Sequence, residues 1–67
     1  MSNYLAIYFY LKSEFQKDSE KWFKTREVAS IFKLSINRTR VHLSSLWRNG
    51  DAERKTIGWC DAYKFKR

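Results

Sequence analysis

The sequence predicts a mostly helical α+β domain: three helices, a short strand ahead of the second, and a closing two-stranded β-hairpin. Apolar residues recur at helical spacing in three stretches of the first fifty residues, which contain no proline. The two glycines, Gly50 and Gly58, fall late. Beyond Gly50 the apolar spacing changes to alternation, the period of a strand. Sixty-seven residues are expected to hold one domain over 1–67, near the lower size limit for folding without a covalent or metal staple.

The first helix is expected over residues 3–16, with Leu5, Ile7, Tyr8, Leu11 and Phe15 at near-helical spacing. Tyr4 through Leu11 is apolar or aromatic without interruption. Its first two turns are therefore hydrophobic nearly all round, and a surface helix of a small monomer cannot bury every face. Residues 16–21 are polar and read as a loop, and Trp22-Phe23-Lys24 as a short extended piece. Thr25 offers an N-cap to a second helix over 26–32, because its hydroxyl can accept from free amides of the next turn. Glu27 suits the positive end of that helix, whose apolar face is Val28, Ala29, Ile31 and Phe32.

Lys33 and Leu34 make a turn, Ser35 caps a third helix over 36–49, and Gly50 stops it in the left-handed conformation. A wheel of this helix sets Ile36, Thr39, Leu43, Leu46 and Trp47 on one side. Asn37, Arg38, Val41, Ser44, Ser45 and Arg48 lie opposite, with Arg40 and His42 on the flanks. Residues 52–57 and 61–66 then read as strands around the turn Gly58-Trp59-Cys60, with Tyr63 and Phe65 facing inward and Lys64 and Lys66 outward.

Composition narrows the function classes. A single cysteine, Cys60, and a single histidine, His42, supply neither an internal disulfide nor a zinc set, so no metal and no cofactor is expected. There is no glycine-rich phosphate loop and no nucleophile paired with a base, so no catalytic residue is assigned and no small-molecule ligand is expected. No basic leader and no membrane-length apolar run is present, and the expected location is cytoplasmic, with the nucleoid, away from membranes.

The charge of +7 is uneven: residues 1–20 sum to −1 and residues 21–67 to +8. Lys33, Arg38, Arg40 and Arg48 precede Gly50 with no acid among residues 33–50. A cationic face attracts polyphosphate through its field and through counterion release. The plainer alternative for Arg38 and Arg40 is solubility of an exposed helix.

In order and content, residues 23–55 resemble the winged helix-turn-helix family. Thr25-Arg26-Glu27-Val28-Ala29 is similar to the family's threonine-initiated second helix. Leu43-Ser44-Ser45-Leu46, followed by Gly50-Asp51-Ala52-Glu53-Arg54, is similar to its third helix, glycine stop and first wing strand. The resemblance implies a sequence-specific double-stranded DNA-binding protein, a small phage, plasmid or fimbrial-type transcription regulator without a subfamily assignment. Its third helix would enter the major groove. Arg40 and Ser44 stand where the Z-DNA-binding branch carries asparagine and tyrosine, which sets that branch aside.

On that resemblance Asn37, Arg38 and Val41 are the candidate base contacts, through adenine and guanine edges and a thymine methyl. Thr25, Arg26, Ser35, Arg40, Ser44, Ser45 and Arg48 are the candidate backbone contacts, and Lys55 and Trp59 the wing contacts. Asn37 can equally serve only to start a helix. Trp22 and Trp47 are expected in the core, while Trp59 either closes the hairpin or projects from its tip. A homodimer is expected through Tyr4, Tyr8 and Phe9, motivated by the apolar run of the first helix.

Three alternatives stay open: a winged-helix protein-interaction module, an accessory DNA-binding factor of a mobile element, and a single-strand binder using Trp59, Tyr63 and Phe65 as stacking groups.

Overall fold

The computed structural model describes residues 3–66. In chain order they form helix α1 (Asn3–Lys17), strand β1 (Phe23–Lys24), helices α2 (Thr25–Phe32) and α3 (Ile36–Arg48), and strands β2 (Ala52–Ile57) and β3 (Cys60–Phe65). The result is a small α+β domain with three helices and a three-stranded antiparallel sheet of order β1-β3-β2. The short strand is no isolated piece: Phe23 pairs with Tyr63 and Lys24 with Ala62, making β3 the central strand.

Local chemistry explains the element ends. Ser35 caps α3 as expected: its hydroxyl accepts from the Arg38 amide at 3.1 Å, and Thr39 Oγ1 donates to the Ser35 carbonyl at 2.9 Å. At the other end Gly50, at φ 84°, lets its own amide reach Trp47 and the Asp51 amide reach Leu46. That pair of bonds is a Schellman stop. The same motif ends α2, where Lys33 takes the left-handed place at φ 54° and Leu34 donates to Ala29.

The α2 cap differs from expectation. Lys24 is the N-cap and Thr25 the first helical residue, only 7 % exposed. Glu27 reaches back to accept from the Lys24 amide at 3.2 Å, so the helix start is satisfied from inside its first turn. The hairpin turn is also tighter than expected. Ile57 pairs with Cys60, leaving Gly58 and Trp59 as a two-residue turn. Gly58 alone of the two has positive φ, the sign pattern of a II′ turn that matches the twist of the strands.

The core gathers Ile7 and Leu11 from α1, Val28 from α2, Leu43 and Leu46 from α3, and Phe23, Ala52, Tyr63 and Phe65 from the sheet. The apolar run of α1 is spent mainly inside the chain, because α1 touches three neighbours. Tyr8 and Phe15 pack against Phe65, Tyr10 packs against Phe23 and Phe32, and Tyr4 meets His42 and Asn49 of the α3 end. Of the residues expected at a dimer surface, Tyr4 and Tyr8 are half-buried against the chain's own core, while Phe9 is exposed, as is Leu5.

Two predictions arise from this core. The Tyr63 hydroxyl is buried without a hydrogen-bond partner among the described residues, although its ring is fully covered. An orphan hydroxyl costs stability that the ring does not need. Tyr63→Phe is therefore expected to leave stability unchanged or raise it by about 1 kcal/mol in urea unfolding, and a loss of that size would contradict the orphan assignment.

Tyr10 concerns pH. Partial burial, then Glu14 and Glu27, push its hydroxyl above the ordinary value of 10.0. Its contribution is present below the unfolded value and is lost as pH rises through the higher folded value. Tyr10→Phe should flatten the fall in stability above pH 10, and an unchanged alkaline limb would exclude Tyr10 as its source.

Candidate nucleic-acid interface

Helix α3 buries one stripe and exposes the rest. Thr39, Leu43 and Leu46 are fully covered, which turns Asn37, Arg38, Arg40, Val41 and Arg48 outward, with Ser44 and Ser45 half-buried beside them. Val41 is 63 % exposed and has no core to serve. Ile36, expected on the apolar side, is exposed as well, because it opens the helix beyond the reach of the core. Among the described residues the ion pairs are Lys17–Glu14 and Lys64–Glu53, so Arg26, Arg38, Arg40 and Arg48 carry uncompensated charge.

The two flanks of this face are unlike. On the α1 side, Arg38 lines a shallow depression with Val41 and His42, and the His42 ring meets Tyr4 edge-on. On the hairpin side, Arg40 and Ile36 of α3, Arg26 and Thr25 of α2, and Trp59, Cys60 and Asp61 of the hairpin surround a cleft of about 160 Å³. The residues singled out from sequence thus do not form one cluster. Asn37, Val41, Ser44, Ser45 and Arg48 lie on the central strip, Arg38 on one flank, and Arg26 and Arg40 on the other. Thr25 is covered and Ser35 already uses its hydroxyl on the helix start, so their side chains offer less than expected.

The hairpin projects from the body. Of β2 only Ala52 is buried, and residues 53–59 are exposed in succession. Trp59 stands at the tip with its whole side chain in solvent, at 103 % of reference exposure. That settles its placement in favour of projection over closure against Tyr63.

Alternation along β2 then decides which cations face α3. Ala52 points to the core, so Arg54 shares its side, and the Arg54 guanidinium lies 3.9 Å from the centroid of the Trp47 ring. Lys55 points the other way, 4.3 Å from the Trp22 ring centroid, where Lys64 also stacks at 5.0 Å. Lys55, expected as a hairpin contact, therefore sits on the face away from α3, and Arg54 is the β2 cation that faces α3. The alternation that sets Tyr63 and Phe65 inward, applied to β2, carries this signal in the sequence. Trp47, expected in the core, is exposed, and Trp22 is half-buried; each ring is a platform for cations. A guanidinium or ammonium over a ring face is favoured even where the ring stays partly wet.

Among the described residues no group of three His, Cys, Asp or Glu side chains stands close enough to hold a metal ion, and no helix is long and apolar enough to cross a membrane. Compared with known protein families, with curated proteins and with solved structures, the chain matches none.

Proposed function

We propose that this chain is a double-stranded DNA-binding protein of the winged helix-turn-helix type, acting as a small transcriptional regulator. One observation carries the proposal: α3 presents an uncompensated basic face beside a projecting hairpin, with cations on both of its flanks. In this arrangement α3 lies in the major groove and the hairpin follows the adjoining backbone. Asn37 and Val41, on the central strip, read base edges. Arg26, Arg40, Arg48 and Arg54 hold phosphates on the hairpin side and along the helix, and Arg38 holds the backbone on the α1 side. Repression by covering a promoter is the simplest outcome of such binding.

The test is a fluorescence-anisotropy titration with random duplex DNA and its separate strands at stepped salt. Micromolar duplex binding that weakens steeply with salt is the expected result. Absence of duplex binding at low salt overturns the proposal and turns attention to protein partners.

A dimer through α1 now rests on Leu5 and Phe9. That patch is small beside the roughly 800 Å² per partner of a standard interface, so a weak, concentration-dependent dimer is expected. Sedimentation at tens of micromolar should show a species heavier than the 8.2 kDa chain, returned to monomer by Phe9→Glu. A single 8.2 kDa species in the unaltered chain removes the dimer.

A further inference from the structure

Two exposed apolar side chains with no role in the core, Ile36 at 43 % and Trp59 at 103 %, border the same cleft. Arg26 and Arg40 border it too, neither in an ion pair among the described residues. The one acid there, Asp61, is engaged: its carboxylate accepts from Thr56 Oγ1 at 3.2 Å across the hairpin. A cleft of about 160 Å³ is small beside the roughly 300–1,000 Å³ of pockets that take whole cofactors or drug-sized ligands. It suits a single planar ring system with an anionic group attached.

We infer that this cleft receives one unstacked nucleotide of a DNA duplex, its base against the Trp59 indole and its phosphate between Arg26 and Arg40. The inference rests on the proposed duplex binding and narrows its ligand to DNA with a local break in stacking, such as a bulge. An aromatic face holds any base by stacking, and a flanking guanidinium adds charge-assisted hydrogen bonds to phosphate. A tryptophan that merely wedged between the base pairs of a continuous duplex would need no facing wall. Here α2 and α3 supply one, with Ile36 as its apolar part. A base that has already lost its partner enters at the least cost, which makes the cleft selective for the break itself.

The test compares three labelled DNAs of one sequence: a continuous duplex, the same duplex with one unpaired 2-aminopurine at its centre, and the single strand. The unaltered protein should bind the bulged duplex about tenfold tighter than the continuous one and quench the 2-aminopurine emission. Trp59→Ala lies at a fully exposed turn tip and does not touch the core. It should abolish the quenching and bring the bulged and continuous duplexes to equal affinity. Trp59→Phe should keep part of the preference. Equal binding of bulged and continuous duplex by the unaltered protein overturns the inference and leaves duplex binding standing. A preference that survives Trp59→Ala also overturns it, as does tighter binding of the single strand than of the bulged duplex. No binding to either duplex overturns both the inference and the function it rests on.

Discussion

Leu43→Ala is expected to lower the unfolding free energy by about 2–5 kcal/mol. Leu43 is fully buried on α3 and belongs to the cluster that joins α1, α2 and the sheet. Truncation removes apolar burial and leaves a cavity that rigid neighbours on three sides fill only partly. A 67-residue chain has a total stability on the order of 3–10 kcal/mol, at about 0.05–0.15 kcal/mol per residue. That loss is a large share of the total, so the variant's helical circular dichroism should be lost well below the urea midpoint of the unaltered chain. A loss under about 1 kcal/mol at unchanged m-value would mean that the helices do not share one core.

The second large effect concerns binding. Arg26→Ala with Arg40→Ala should weaken duplex DNA affinity about a hundredfold at low salt, since a hydrogen bond between charged groups is worth about 1.5 kcal/mol or more. The slope of log affinity against log salt should fall by about two, one for each phosphate no longer neutralised. Both side chains are exposed, so the fold should be unchanged by circular dichroism. Arg38→Ala is the internal control. It lies with His42 on the flank opposite the hairpin, so its effect should be smaller than that of the pair. Equal affinity of the double variant and the unaltered chain would remove the hairpin-side cleft from the binding face.

Sequence periodicity is enough to place α1, α2 and α3 to within a residue or two. Their boundaries rest on local signals: Ser35 before α3, and Gly50 after it. The hairpin is legible for the same reason, although the sequence suggests a turn one residue too long. Cys60 looks like a turn residue next to Gly58-Trp59 but closes the last cross-strand pair.

What escapes the sequence depends on tertiary partners. The short strand at Phe23 and Lys24 is legible as an extended piece, but its pairing with Tyr63 and Ala62, which makes β3 the central strand, is not. The apolar run of α1 looks like surplus surface because its three intramolecular neighbours are distant in sequence. Trp22 and Trp47 look like core residues because aromatic rings usually are; in the folded chain Lys55, Lys64 and Arg54 cover them instead. For the candidate site, the basic strip of α3 is legible from spacing alone. The cleft between Arg26, Arg40 and Trp59 is not, since it joins residues up to 33 positions apart.

Assignment of duplex DNA to this face is tested most directly by backbone amide shifts recorded while a duplex is added. The expected shifts map to Asn37, Arg40, Val41, Ser44, Arg48, Arg54 and the Gly58–Trp59 turn, with Leu5 and Phe9 of α1 unmoved. Shifts centred on Leu5 and Phe9, or none anywhere at saturating duplex and low salt, would contradict it.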